Sequence, residues 1–132
     1  MKNIVALLGL IALSSLAQAQ VHHNEDITPD STTYTNVYVK KMHSDERTSV
    51  FAIWVKKEVK AHKHEQHTEV VFVLEGKGKM VVGEKKQRIK KGDTIIIPQG
   101  TVHSVKTSSR KPLKVISVQA PIFLGVDRIW IN

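Results

Sequence analysis

The chain has 132 residues, a formal net charge of +8 at pH 7 and no cysteine. This length suits one small domain with a single core, and the lack of cysteine excludes disulfides, thiolate metal ligands and a cysteine nucleophile. Aromatic residues make up only 5% of the chain and no recognition motif is present, so the positive charge does not predict a nucleic-acid partner.

The first 19 residues have the three parts of a secretory signal peptide. Lys2 supplies a positive charge, residues 4–13 are apolar, and the sequence AQA at residues 17–19 is a small-x-small cleavage site. The apolar run is too short to span a membrane with proper flanks. We predict that residues 1–19 are removed and that the mature protein is periplasmic or secreted, without a membrane span. The alternative is an uncleaved N-terminal anchor.

The rest of the chain predicts an all-β domain. Residues 20–33 are polar and rich in turn-forming residues, which is typical of a flexible leader. Residues 34–132 form one predicted domain, in which no segment has a helical period over ten residues. Short apolar or alternating runs separated by Gly and Pro indicate a β-sandwich or barrel. The predicted strands are residues 34–41, 48–55, 70–74, 79–82, 85–89, 94–97, 102–106 and 113–119, with a last edge strand within 126–131.

The sequence predicts turns at three places between these strands. Residues 56–60 continue from the second strand as a turn, and residues 75–78, with the sequence EGKG, predict a hairpin turn. Gly83 and Glu84 predict a tight hairpin between residues 79–82 and 85–89.

Two separated blocks of the sequence carry residues that suit a metal ion. His62 and His64 are two positions apart, so in an extended segment their side chains face the same side. Glu69 follows five residues later, and His103 comes after a Pro-x-Gly turn. Three imidazoles and a carboxylate suit a first-row divalent metal. A His-x-His pair alone would more often be exposed to solvent. Its combination with Glu69 and the distant His103 is what indicates a metal site.

The spacing of these blocks resembles the paired motifs of the cupin superfamily. The first block is H-x-H-x4-E-x6-G at residues 62–76, and the second is G-x5-P-x-G-x2-H at residues 92–103. The resemblance covers about residues 55–106 and implies a small double-stranded β-helix, or jelly-roll barrel. Two positions depart from the family pattern: Lys56 stands where a glycine is usual, and Thr107 where an asparagine is usual. Both positions concern strand ends.

The resemblance implies that one divalent transition metal (Mn, Fe, Ni, Co, Cu or Zn) is held inside the barrel by His62, His64, Glu69 and His103. If Glu69 faces inward, strand alternation predicts that Val71 does too. A metal would offset the cost of burying the carboxylate. Glu69 could also stay beside the metal without binding it. His67 is expected in a loop, with support of a ligand as the alternative role.

In proteins similar to this, small cupins act as oxygenases, oxidases, isomerases, epimerases or lyases. We therefore expect a metal-dependent oxidoreductase or isomerase acting on a small oxygenated or sugar-like molecule, with Glu69 as the candidate catalytic proton acceptor. The alternative is a non-catalytic binding module for a small anionic or sugar ligand. A homodimer is also expected, because exposed strand edges are commonly covered by a partner. The candidate edges are residues 34–41 and the tail around Trp130.

Overall fold

The computed structural model describes residues 19–132, so nearly all of the predicted signal peptide lies outside the described residues. Within the described part of the chain, no helix is long and apolar enough to cross a membrane. The regular elements there are ten β-strands: β1 (Val37–Ser44), β2 (Ser49–Val55), β3 (Glu58–Lys63), β4 (Thr68–Glu75), β5 (Lys77–Val82), β6 (Lys85–Lys90), β7 (Thr94–Ile97), β8 (His103–Thr107), β9 (Leu113–Ala120) and β10 (Ile129–Trp130).

The strands form two five-stranded antiparallel sheets. The first has the order β1-β2-β9-β4-β7 and the second the order β10-β3-β8-β5-β6. This architecture confirms the predicted all-β jelly-roll fold. One edge strand of each sheet, β1 in the first and β10 in the second, carries a segment that the sequence predicted as an edge, and β7 and β6 form the other two edges.

The main core lies between the sheets and follows from strand alternation. On β4, Glu69, Val71 and Val73 are buried, whereas Phe72 is 40% exposed. The predicted inward orientation of Glu69 and Val71 is therefore confirmed. A cluster of apolar side chains from both sheets packs in the interior: Val55, Val71, Val73, Met80, Ile89, Ile97, Leu113 and Val115.

A smaller cluster forms where the segment 20–33 lies against the first sheet. Ile27 is buried together with Ala52 and Trp54 of β2. The Lys114 ammonium also donates a hydrogen bond to the Asn24 carbonyl. The sequence predicted a flexible leader here because the segment is polar, but its one isoleucine joins it to the domain. The boundary at residue 33 stays a prediction.

The structure corrects three local predictions. The turn predicted at residues 56–60 is confined to residues 56 and 57: β3 starts at Glu58 and pairs with β8, and its charged outward residues concealed the alternation. Residues 75–78 are not a hairpin, because β4 and β5 belong to different sheets and the chain crosses between them there. Gly76 makes this crossing at a φ of 83°. The first strand begins at Val37, and the predicted β5–β6 hairpin is confirmed, with Val82 opposite Lys85.

Candidate metal centre

The second sheet carries a cluster of buried histidines that faces the barrel interior. His62 on β3 and His103 at the start of β8 are direct cross-strand partners. His64 lies one residue beyond the end of β3. Its carbonyl accepts a hydrogen bond of 2.6 Å from the Gly100 amide, in the turn that precedes β8. The two sequence blocks are thus joined by strand pairing and by a backbone bond.

The three imidazoles converge on a common point. One ring nitrogen from each of His62, His64 and His103 lies within 4.8 Å of the others, and all three side chains are buried. These are the three histidines that the sequence predicted.

Backbone carbonyls orient each of these rings. The Nδ1 atom of His62 is 2.8 Å from the Lys60 carbonyl, and that of His103 is 2.9 Å from the Thr101 carbonyl. The Nδ1 atom of His64 contacts the Asp127 carbonyl. A carbonyl oxygen only accepts, so each Nδ1 carries the proton and each neutral ring keeps its lone pair on Nε2. This is the tautomer that a metal-binding imidazole needs.

Glu69 approaches the cluster from the opposite sheet. Its Oε2 atom is 3.3 Å from His103 Nε2 and 3.6 Å from His64 Nε2. Neither approach has the geometry of a hydrogen bond, and both buried Nε2 atoms lack a hydrogen-bond partner among the described residues. The predicted carboxylate therefore lies beside His64 and His103, and it lines the same cavity as His62.

Two residues that the sequence reasoning missed hold the other carboxylate oxygen. Ser117 donates its hydroxyl hydrogen to Glu69 Oε1, and the Gln119 amide lies 3.4 Å from the same atom. Both side chains are buried on β9, where Leu113 and Val115 precede them on the same face. Two polar residues at core-facing positions of an apolar strand are a signal that could have identified them.

The environment sets opposite trends in the pKa values of these groups. Burial lowers the pKa of His62 to about 4, which keeps its imidazole neutral. Burial would raise the pKa of Glu69, but His103, His64 and the Ser117 hydroxyl outweigh it and hold that pKa well below its usual range. Burial alone would lower the pKa of His64, but the Glu69 carboxylate and the Asp127 carbonyl raise it above its usual value. The carboxylate therefore remains charged inside the barrel.

His67 lies in the loop before β4, as predicted, and it is buried there against the cluster. Its ring stacks on His64 with centroids 4.2 Å apart, and its Nδ1 lies 2.8 Å from Asp127 Oδ2. The Asp127 carboxylate also accepts the amide hydrogens of Glu65 and Gln66. The Asp127 carbonyl also accepts from His64 Nδ1, so Asp127 anchors the loop that carries His64 through both its backbone and its side chain. The sequence reasoning missed Asp127, which lies 63 positions from His64.

A cavity of about 310 Å³ extends from the cluster into the barrel. His62, Glu69 and His103 line one part of it, and apolar side chains line most of the rest. Its exposed lining residues belong to the edge strands: Val39 of β1 is 47% exposed and Trp130 of β10 is 53% exposed. The cavity therefore opens between β1 and β10. Its apolar walls and few polar groups are typical of a small-molecule site.

The donor atoms fit a divalent transition metal. Three imidazole nitrogens converge, the Glu69 carboxylate lies within 3.6 Å of two of them, and the Nε2 atoms of His64 and His103 have no hydrogen-bond partner among the described residues. Such a set suits Mn, Fe, Co, Ni, Cu or Zn.

Fold and motif together define a double-stranded β-helix protein with a histidine-rich interior, and the comparisons give its family. Residues 49–119 match the family described as Cupin domain, and the chain belongs to that family. A protein of Klebsiella pneumoniae with a double-stranded β-helix domain has a TM-score of 0.71 at 18% identity, covering 87% of this chain and 99% of that one. This likeness concerns the fold.

The sequence relatives match over shorter stretches. An uncharacterized protein of Methanocaldococcus jannaschii is 40% identical over 66 residues, which cover 50% of this chain and 53% of that protein. The chain thus spans about half the length of that relative. Mannose-1-phosphate guanylyltransferase RfbM of Salmonella typhimurium is 30% identical over 69 residues, covering 52% of this chain and 14% of the enzyme. The homologues of this cupin therefore include enzymes.

Proposed function

We propose that this cupin is an exported, metal-dependent enzyme of the oxygenase, isomerase or lyase type that acts on a small oxygenated molecule. The observation that carries the proposal is the convergence of three buried imidazoles, each with Nδ1 on a carbonyl and Nε2 directed away from it. Carbonyl contacts of this kind fix the tautomer that leaves Nε2 free for a metal. The signal-peptide pattern of residues 1–19 supports a periplasmic or secreted location.

In this proposal His62, His64 and His103 would hold the metal, with Glu69 as a fourth ligand or a close neighbour. When bound, a divalent metal supplies Lewis-acid or redox chemistry to a substrate oxygen. Ser117 and Gln119 keep Oε1 of Glu69 in place while Oε2 faces the interior. Glu69 is thereby positioned to accept a proton from a substrate in the cavity. The apolar walls limit the access of water.

The alternative function is a binding module without turnover. One observation favours it: apart from Glu69, His62 and His103, no acid–base side chain lines the cavity among residues 19–132. A binder would need no proton acceptor.

Metal analysis of the purified mature protein tests the proposal. We expect about one metal ion per chain in the wild type and substantially less in His62→Ala and His103→Ala, because each variant removes one of three imidazole donors. His43→Ala is the matched control, because His43 is an exposed histidine on β1 whose ring contacts Asp45. Equal metal content in the wild type and both site variants would refute the metal site.

A substrate screen then separates enzyme from binder. α-Hydroxy acids, uronates, catechols and flavonols would be incubated with the metal-loaded protein, with oxygen uptake and product formation as readouts. Turnover that is lost in Glu69→Gln supports the enzyme, whereas saturable binding without any turnover supports the module. N-terminal sequencing of the exported protein tests the location, and a chain that starts at residue 20 is expected.

A further inference from the structure

Arg128 places a cation in the wall of the cavity. It lies one residue before β10, and its side chain lines the cavity together with His62, Glu69 and Trp130. Among the residues that line this cavity, Arg128 is the one with a permanent positive charge.

The guanidinium lacks an anionic partner within the described part of the chain. No carboxylate there lies within 4.0 Å of it, although other basic residues such as Lys40 and Lys111 do form ion pairs. Its Nε atom is buried and has no hydrogen-bond partner among residues 19–132. A buried polar donor without a partner is costly, and a charged one more so, which makes this position unusual.

Glu69 does not fill this role, although both residues line the same cavity. Its Oε1 atom accepts from Ser117, and its Oε2 atom faces His64 and His103. The one carboxylate of the cavity wall is thus engaged on the side of the histidines, and the cation is left for a ligand.

The aromatic neighbours of Arg128 orient it without using its hydrogen-bond donors. The guanidinium carbon lies 5.7 Å from the ring centroid of Phe123 and 5.7 Å from that of Trp130. These are cation–π distances, and such contacts are electrostatic and require no hydrogen bond from the guanidinium. The N–H groups at its edge remain available, in the fork geometry that matches a carboxylate.

We propose that Arg128 makes the cavity selective for small carboxylate-bearing ligands, with the ligand carboxylate on the guanidinium and a second oxygen facing the histidine cluster. This inference rests on the proposed function and specifies its substrate class. A carboxylate fits better than a phosphate, because a single guanidinium balances one negative charge and the other walls are mostly apolar. Arg128 is assigned as a binding residue with no role in proton transfer.

Matched pairs of ligands test this selectivity by calorimetry on the metal-loaded protein. The probes are glycolate against ethylene glycol, lactate against 1,2-propanediol and D-galacturonate against D-galactose, with inorganic phosphate as a separate arm. In at least one pair we expect the carboxylate to bind about tenfold tighter than its neutral partner, the effect of one hydrogen bond to a charged group. Arg128→Gln should reduce that preference to about threefold or less.

Two further variants keep the test decisive. Arg110→Gln removes the same charge from an exposed loop position outside the cavity, and we expect its preference to equal that of the wild type. Arg128→Lys keeps the charge without the fork, and an intermediate preference is expected; this variant decides the matter if Arg128→Gln does not fold. No preference for any carboxylate, an unchanged preference in both Arg128 variants, or tighter binding of phosphate than of every carboxylate would overturn the inference.

Metal content, measured on the same samples, separates this inference from the proposed function. If the wild type holds no metal, the proposed function fails, and the ligand pairs still report on Arg128 in the metal-free protein. If metal is held and the carboxylate preference is absent, only the inference about Arg128 fails.

Discussion

Substitution of Ser117 by alanine probes the support beneath Glu69. The Ser117 hydroxyl is fully buried and donates to a carboxylate that is only 7% exposed, so water cannot readily replace it. A hydrogen bond to a charged group contributes about 1.5–3 kcal/mol, and we expect Ser117→Ala to lower the free energy of unfolding of the metal-free protein by about 2 kcal/mol. The Gln119 amide, at 3.4 Å from the same oxygen, compensates only weakly.

The expected loss of stability in Ser117→Ala exceeds that for an ordinary buried hydrogen bond because Glu69 is charged. In a Glu69→Gln background the same serine donates to a neutral amide, and its loss should cost about 1 kcal/mol. The double-mutant cycle should therefore give a coupling of about 1 kcal/mol between the two positions. Urea denaturation of metal-free protein, followed by circular dichroism, measures all four proteins.

Ser49→Ala is the matched control for this cycle. Ser49 is equally buried, but its hydroxyl oxygen has neutral partners, Ser44 at 3.0 Å and the Phe123 amide at 3.0 Å. Its substitution should cost about 1 kcal/mol in both backgrounds. A cost for Ser117→Ala below about 0.5 kcal/mol, or the same cost in the wild-type and Glu69→Gln backgrounds, would refute the claim that the serine stabilises a charged carboxylate.

Three further predictions address the frame around the site. Gly76→Ala should destabilise the fold more than Gly92→Ala. Both positions have a positive φ, which costs a residue with a side chain about 1–2 kcal/mol. Only at Gly76 would the new Cβ also meet a backbone atom, the Pro112 carbonyl oxygen at 2.7 Å. Thermal denaturation compares the two, and equal losses would contradict the crossing geometry. Asp127→Asn should lower the free energy of unfolding by about 1–3 kcal/mol, because a charged acceptor of two backbone amides is lost. The variant should still bind metal, because the Asp127 carbonyl that faces His64 remains. Metal analysis alongside urea denaturation checks both parts, and metal loss without loss of stability would show that the anchor has been misassigned. The mature protein should be a homodimer through its edge strands, and light scattering that gives a monomer mass at high concentration would exclude this.

Local patterns predicted the parts of the fold in which neighbouring segments pair with each other. The β5–β6 hairpin follows from two alternating runs around Gly83, because pairing partners adjacent in sequence need only a tight turn. The crossing at Gly76 has the same glycine-rich appearance. It was misassigned as a hairpin because a turn signal does not specify which sheet the next strand joins. Strand β3 was missed because charges cover its outward face.

In the candidate site, motif spacing was sufficient to predict the residues whose side chains are aligned by strand geometry. His62, His64 and Glu69 lie within eight residues; the structure brings the two histidines together with His103 and places Glu69 beside His64 and His103. Their role as metal ligands stays a prediction. The groups that orient and complete the site, Ser117, Gln119, Asp127 and Arg128, come from β9 and the C-terminal tail. No local pattern connected these segments to the histidines.

The amino-acid sequence alone thus determined the β-class, the family resemblance and the core of a histidine site, because strand periodicity and short motif spacing are local properties of the chain. Only the tertiary structure decided that the Asp127 carbonyl orients His64, what holds Glu69 and where the cavity opens. It also decided that Arg128 faces the interior near His62. These properties depend on contacts between residues far apart in sequence, such as Glu69 with Ser117, which are 48 positions apart, and His64 with Asp127, which are 63 positions apart. Such contacts arise only when the two sheets close over one core.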